Sequence, residues 1–191
     1  MRAMALVGGF GFDHLKLIER PVPEPRHNEV VMRMAAVSLN YRDMDIVLGT
    51  YPFSFPLPLV PTSDGVGKVV AVGESVTRAK IGDRVLGTFH QSWIAGRYEE
   101  GTPQLGGSAD GMLAEYVRLD QQGIVHAPSN LTDEEAATLP CAGFDFLALA
   151  SDRESPRGWR HSPYSGHRRR FSVRSAILHD VRCAQRSHFE Q

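Results

Sequence analysis

Two cysteines and eight histidines are the side chains best able to bind a metal or act as nucleophiles. Cys141 and Cys183 stand far apart in the chain, which excludes a disulfide framework and a structural zinc site of four cysteines. His14, His90 and His126 are isolated in the sequence, and an isolated histidine is more often a surface or core residue than a metal ligand. We interpret Cys141 as a small buried residue rather than as a nucleophile or ligand.

Short strands separated by turn residues must position any site in this chain. The run from Glu29 to Leu39 is rich in β-branched and apolar residues and predicts a strand buried on both faces. Further short strands are predicted at Lys68–Val72, Arg84–Leu86 and Leu113–Leu119. This spacing favours a small barrel, so we expect a mainly β fold with a few short helices.

Two short helices and a long loop complete the expected elements. Asn40–Leu48 is compatible with a short helix. Thr132 and Glu135 have capping-box spacing for a second helix, which Pro140 should end after about two turns. The polar, glycine-rich stretch Gln91–Gly111 predicts a long surface loop.

Gly65 and Gly67 lie in the run SDGVGKVVAVG, just before an apolar stretch. A missing Cβ permits a sharp turn or the close approach of another backbone segment. The residues alone leave open the alternative that these are only turn glycines.

Length and charge limit the functions that the chain can have. A chain of 191 residues suffices for one domain of ordinary size or somewhat more. No apolar run approaches the roughly 18 residues of a membrane-spanning helix and no leader is evident, so we expect a cytoplasmic protein without a membrane partner. Residues 151–191 hold nine arginines and four acidic residues, whereas residues 1–150 hold 12 basic and 18 acidic ones. The net charge of −1 argues against a dedicated nucleic-acid binder, but the tail needs its own explanation.

Four motifs follow one another along the first 143 residues: NYRDMDIVLGTYP, PLPLVPTSDGVGKVVAVGESVTRAKIGDRVLGTF, GMLAEYVRLD and LTDEEAATLPCAG. Together they resemble the N-terminal catalytic domain of the medium-chain dehydrogenase/reductase superfamily, most of all its zinc-independent quinone oxidoreductase and alcohol-dehydrogenase-like branch. The resemblance implies a GroES-like, partly open β-barrel over residues 1–130 and a connecting helical segment over residues 131–150. A Rossmann domain that binds NAD(P) normally follows.

The same resemblance bears on zinc. Zinc-dependent relatives place a cysteine at the position of Asn40, a histidine at that of Ser63 and a cysteine at that of Cys141. Only Cys141 has the ligand type here, and the stretch Gln91–Gly111, which matches the structural-zinc lobe of those relatives, contains no cysteine. The resemblance therefore implies no zinc.

Without a metal, hydride transfer to a quinone or enone needs another group to stabilise the developing oxyanion. The resemblance places Asn40, Tyr41 and Tyr51 around the nicotinamide and substrate, which makes them the catalytic candidates. Tyr51 matches the proton-donating tyrosine of enoyl-thioester reductases in the same superfamily. The alternative for both tyrosines is a half-buried packing aromatic with a satisfied hydroxyl.

The resemblance also implies a cofactor-binding set, Arg42, Asp43, Ser63 and Asp64. Arg42 and Asp43 are expected to form a local pair or to steer Tyr41. Ser63 and Asp64 lie at the position of the lost metal site.

At Gly143 the resemblance stops, where relatives continue with Leu-Thr-(Ala or Ser)-Trp, a helix and a dinucleotide-binding turn. If the reading frame is shifted by one base, Phe144–Leu147 can encode Leu-Thr-Ser-Trp. In the same frame, Trp159–Phe171 can encode a strand followed by Gly-x-Gly-Gly-x-Ser, which is close to the pyrophosphate-binding fingerprint. Wobble bases are invisible in protein, so this is a test of compatibility.

We infer a single-base insertion near codon 144, in the gene or in its sequencing. Under this hypothesis the arginine run consists of glycine codons translated out of frame, and residues 151–191 are expected to be poorly ordered. The competing interpretation is a genuine arginine-rich tail that binds nucleic acid or an anionic surface.

The expected function is therefore that of the N-terminal part of an NAD(P)-dependent oxidoreductase acting on a small quinone, enone or alcohol. NAD(P)H is the cofactor of the intact family member, and we expect neither its tight binding nor appreciable activity in this chain. The sequence leaves open the substrate, the choice between NADH and NADPH, and the oligomeric state.

Overall fold

Antiparallel strands make up most of the structure, a computed structural model that describes residues 1–95 and 101–143. The strands are β1 Arg2–Leu6, β2 Leu15–Glu19, β3 Glu29–Ser38, β4 Asp64–Val72, β5 Arg84–Gly87, β6 Tyr116–Asp120 and β7 Ile124–His126. The helices are α1 Tyr41–Leu48 and α2 Asp133–Ala137, with two 3-10 helices at Phe12–His14 and Gln121–Gly123. The prediction of a mainly β fold with a few short helices is confirmed.

The strands form two sheets. β1 and β2 pair in a two-stranded sheet, and the other five form a sheet in the order β6-β3-β4-β5-β7. The long pairing of β3 with β4 runs from Val30↔Val72 to Ser38↔Asp64, with two irregularities in register. This register brings the first residue of β4 beside the last residue of β3, immediately before α1.

The burial of β3 differs from the sequence prediction. Val30, Val31 and Met32 are buried, but Arg33 and Ala35 are exposed, so the strand is not covered on both faces along its whole length. Two neighbouring strands flank only its first half, because β6 pairs with β3 no further than Arg33.

Gly65 and Gly67 lie inside β4, which starts four residues before the predicted strand. A Cβ on Gly67 would meet the carbonyl of Arg33 and would lie 2.8 Å from the methyl group of Met32. The close-approach interpretation is therefore confirmed for Gly67, because any larger residue would push β3 and its side chains away.

The stretch Gln91–Gly111 is not simply a surface loop, contrary to the prediction. Residues 104–107 are buried, and Leu105 belongs to the main hydrophobic core with Met112 and Leu119. A hydrogen bond from the Leu105 N–H to the carbonyl of Phe89 holds this segment against the chain that follows β5. Composition concealed the burial because polar and glycine residues surround a single apolar anchor.

α2 begins as expected and ends for a different reason. Thr132 Oγ1 accepts from the Glu135 N–H at 3.2 Å, and the Glu135 carboxylate accepts from the Thr132 N–H at 2.9 Å. The helix ends at Ala137, before Pro140, and residues 139–143 are helical again. Pro140 therefore lies in the first turn of a second helical segment, where its missing N–H needs no partner.

No helix within the described ranges has the length and apolar character needed to cross a membrane. Residues 144–191 lie outside the described residues. Three predictions concern them: the frame-shift hypothesis, the end of the connecting segment and the expected disorder of the tail. The proposed domain boundaries remain predictions.

Candidate functional site

A polar cluster forms where α1, β4 and the segment after α2 meet, and its members are Asn40, Ser63, Asp64 and Cys141. Asn40 Nδ2 lies 3.5 Å from Ser63 Oγ, and Ser63 Oγ lies 3.5 Å from Cys141 Sγ. Asp64 accepts hydrogen bonds from Ser63 Oγ at 3.2 Å and from the Cys141 N–H at 3.1 Å. Three segments that are far apart in the sequence thus contribute to one group of hydrogen-bonding atoms.

The start of α1 positions Asn40. Its backbone N–H donates to Asp43 Oδ2 at 2.8 Å, as in one half of a capping box. Asn40 has an extended backbone before the helix, with φ −110° and ψ 155°. The side-chain amide is thereby presented to Ser63.

An unusual backbone conformation positions Ser63. Thr62 has φ 68°, in the left-handed region that a β-branched residue rarely adopts, and is 1% exposed. The Thr62 carbonyl accepts from the Met112 N–H at 2.9 Å. A Cβ on Gly106 would lie 2.6 Å from the same carbonyl oxygen, so only glycine fits there. The packing of residues 106–112 thus holds the turn that directs Ser63 into the polar cluster.

Burial determines the protonation of Cys141. Asp64 is fully buried, and its carboxylate lies against the backbone and side chain of the half-buried Cys141. Burial, together with the nearby charge of Asp64, raises the pKa of the Cys141 thiol well above its ordinary value. The thiol is protonated at neutral pH, in agreement with its interpretation as a packing residue rather than a nucleophile.

Asp43 is the second buried carboxyl of this region, with 4% of its surface exposed. Burial raises the pKa of Asp43, opposed by its hydrogen bond with the Asn40 backbone and by the charge of Arg42. Asp43 Oδ1 lies 3.9 Å from Arg42 Nη1 and has no hydrogen-bond partner among the described residues. The expected Arg42–Asp43 pair is therefore a loose contact.

Arg42 and Tyr51 belong to a second group, built on aromatic rings. The Arg42 guanidinium lies 5.4 Å from the centre of the Tyr51 ring and 4.7 Å from that of Phe89. It also donates to the carbonyl of Leu105 and to Gln104 Oε1, each at 3.1 Å. Sequence reasoning missed Phe89, Leu105 and Gln104 as partners, because only the folding together of segments distant in sequence brings them to Arg42.

The two catalytic tyrosine candidates have different surroundings. Tyr51 packs against Phe53 and Phe55, with ring centres 5.9 and 5.6 Å apart, as the packing alternative expects. Tyr41 is 80% exposed, so the half-buried alternative is wrong for this residue. Arg42 does not steer Tyr41, because its guanidinium contacts Tyr51 and Phe89 instead. The catalytic and cofactor-binding roles of all seven candidates remain predictions.

The donor atoms of the polar cluster do not fit a catalytic zinc. They are one amide, one hydroxyl, one carboxylate and one protonated thiol, whereas such zinc sites use about three His, Cys, Asp or Glu ligands. Across residues 1–95 and 101–143, no group of three or more such side chains is arranged to hold a metal ion. The lack of zinc remains a prediction.

Comparison with known proteins relates this geometry to a family. The alcohol dehydrogenase GroES-like domain matches residues 26–129, more than half of the chain. A zinc-type alcohol dehydrogenase-like protein of Schizosaccharomyces pombe is 44% identical over 140 residues, which cover 69% of this chain and 39% of the relative. A chloroplastic quinone oxidoreductase of Triphysaria versicolor is 33% identical over 146 residues, which cover 75% of this chain and 40% of that relative.

A solved structure supports the same relationship. It is the crystal structure of a protein from Sinorhizobium meliloti 1021 that is assigned as an alcohol dehydrogenase. The two sequences are 42% identical, and the structures superpose with a TM-score of 0.74. The match covers 80% of this chain and 46% of the Sinorhizobium chain. This likeness confirms the predicted GroES-like barrel. The chain spans less than half the length of these three relatives. It belongs to the alcohol dehydrogenase GroES-like domain family, within the medium-chain dehydrogenase/reductase superfamily.

Proposed function

We propose that this chain is the N-terminal part of an NAD(P)-dependent oxidoreductase that, without zinc, transfers hydride from NAD(P)H to a small quinone or enone, or from a small alcohol to NAD(P)+. The family and the relatives named above support oxidoreductase chemistry. The observation that carries the zinc-independent part is the polar cluster. The resemblance implies that positions 40, 63 and 141 hold the zinc ligands of related enzymes, and here they offer an amide, a hydroxyl and a neutral thiol.

The chemistry of these donors suits a reduced carbonyl. Hydride added to a quinone or enone leaves negative charge on the substrate oxygen, which preorganised donors stabilise. In this proposal the Asn40 amide supplies a hydrogen bond to that oxygen, and a phenol, Tyr51 in the first place, donates the proton. The buried carboxylate of Asp64 fixes the Ser63 hydroxyl, which in turn orients Asn40.

NAD(P)H would supply the hydride when bound. The described strand pairs are all antiparallel, whereas a dinucleotide fingerprint belongs to a parallel α/β unit. Of the predicted cofactor-binding residues, Asp43, Ser63 and Asp64 are buried, which supports an indirect role in shaping the site over direct contact. We propose negligible NAD(P)H-dependent activity for the present chain.

Quinones and enones are the proposed substrates, and an alcohol is the second candidate because the S. pombe relative is named alcohol dehydrogenase-like. Neither the family nor the relatives support a nucleic-acid-binding function. A cytoplasmic location remains part of the proposal and can be tested by cell fractionation.

The experiment compares the purified chain with a version in which the reading frame is restored at codon 144. NADH and NADPH oxidation is followed with a benzoquinone, an enone and an aldehyde, before and after chelator treatment. We expect activity only in the restored protein, insensitive to chelation, and about 100-fold lower after Asn40→Ala or Tyr51→Phe. Turnover that is lost with chelation, or a restored protein inactive on all three classes, would contradict the proposal.

A further inference from the structure

Arg42 connects four separate segments of the described structure. Its backbone lies in the first turn of α1, and its guanidinium contacts the rings of Tyr51 and Phe89. Two hydrogen bonds, to Gln104 and to the carbonyl of Leu105, extend the connection to residues 104–107. Only 13% of the Arg42 side chain is exposed, so these contacts occur in a largely water-free environment.

The shape of arginine suits these contacts. A planar guanidinium can stack on aromatic faces while its edge donates to two acceptors, which a lysine ammonium cannot do at once. The surroundings leave little free space. A Cβ on Gly107 would lie 2.5 Å from Arg42 Nη2 and 3.1 Å from Phe55. Any movement of the guanidinium would therefore displace the neighbouring rings or residues 104–107.

We propose that Arg42 is a positioning residue that fixes the Tyr51 ring relative to the first turn of α1, which Asn40 caps. The inference rests on the proposed function, because the position of Tyr51 matters for the reaction only if Tyr51 donates the proton. It also assigns Arg42 a role other than the predicted cofactor contact, since its guanidinium is directed at protein groups.

Fluorine NMR of the present chain, labelled with 3-fluorotyrosine, measures the surroundings of Tyr51 directly. The chain has five tyrosines, and loss of one resonance in Tyr51→Phe assigns the signal. In Arg42→Gln we expect this resonance to move most of the way to its position in the urea-unfolded chain. Arg42→Lys keeps the charge but not the planar fork, so it should produce a shift of the same direction and at least half the size.

Arg84→Gln is the matched control. Arg84 is also a partly buried arginine, but it donates to Asp133 and to the carbonyl of Leu131 beside α2. Its replacement should leave the Tyr51 resonance unmoved, although it removes three hydrogen bonds where Arg42→Gln removes two. If Arg42→Gln fails to fold, Arg42→Lys decides the question.

A folded Arg42 variant whose Tyr51 resonance stays within its linewidth would overturn the proposal. So would an equal displacement of that resonance in Arg84→Gln, because the shift would then report general loosening. The measurement needs neither cofactor nor turnover, so its outcome is independent of the activity test. An inactive restored protein would refute the proposed function and leave this result standing.

Discussion

Restoring the zinc ligands tests the arrangement of the polar cluster most directly. The double substitution Asn40→Cys with Ser63→His, together with the native Cys141, would supply the ligand types found in zinc-dependent relatives. In a tetrahedral site with bonds of about 2.0–2.3 Å, neighbouring donor atoms lie about 3.3–3.8 Å apart. The separations of Asn40 Nδ2 from Ser63 Oγ and of Ser63 Oγ from Cys141 Sγ are both 3.5 Å. The backbone therefore brings the three side chains to one place, which a shared metal ion requires.

We expect the double variant to bind one Co²⁺ or Zn²⁺ per chain. At a free metal concentration of 100 times the dissociation constant, binding should stabilise the fold by about 2.7 kcal/mol. Affinity should rise with pH, because the Cys141 thiol, whose pKa is raised by burial and by Asp64, must lose its proton to bind metal. The assays are the visible absorption of tetrahedral Co²⁺ and the metal-dependent shift of the thermal midpoint.

Two proteins serve as controls. The native chain should show neither effect, and adding Cys141→Ser to the double variant should abolish the tetrahedral cobalt spectrum. A folded double variant that binds no stoichiometric metal would contradict the convergence of positions 40, 63 and 141. Tight metal binding by the native chain would refute the zinc-independent interpretation.

Three further predictions concern stability and reactivity. Gly67→Ala should lower the free energy of unfolding by about 1–3 kcal/mol through overpacking against β3, measured by urea titration, whereas Gly143→Ala, with ordinary contacts at 3.8 Å, should not destabilise. In a Cys183→Ser background, Cys141 should react with a disulfide reagent at least about 100-fold more slowly in the folded than in the urea-unfolded chain. The reason is that burial raises the pKa of the thiol. Equal reaction rates in the two states would contradict this. Burial also raises the folded-state pKa of Asp43, so its contribution to stability is present at low pH and is lost as the pH rises. The free energy of unfolding of Asp43→Asn should therefore increase relative to that of the native chain from acid to neutral pH. A difference between the two proteins that is constant with pH would refute this.

The local elements of this fold were largely predictable. α1 begins after Asn40 and ends before Gly49, which has φ 72°, and both flanking residues are of the types that helix ends prefer. The reciprocal hydrogen bonds of Thr132 and Glu135 also follow from their spacing. These features depend on contacts within a few residues, so the sequence contains them directly.

The open and the mistaken predictions both concern contacts between distant segments. Gly67 suggested either a turn or a close approach, and only the facing β3 backbone decides between them. Residues 104–107 have the composition of a loop, yet Leu105 enters the core because Phe89 and Arg42 hold its backbone. Local composition carries no information about such partners.

The candidate site shows the same distinction between what the sequence predicts and what contacts between distant segments decide. Residue types establish the chemistry available: an amide at Asn40 and a hydroxyl at Ser63, where the resemblance implies metal ligands in zinc-dependent relatives, and a thiol at Cys141, which keeps the ligand type. Tertiary structure alone decided that Ser63 meets Asn40, 23 residues away, and Cys141, 78 residues away. It also removed the Cys141 thiol from water and placed it beside the buried Asp64, and both effects raise the pKa of the thiol. Residue type fixes which hydrogen bonds a side chain can make, but the folding of distant segments together fixes its partners and the local dielectric, and these set protonation and reactivity.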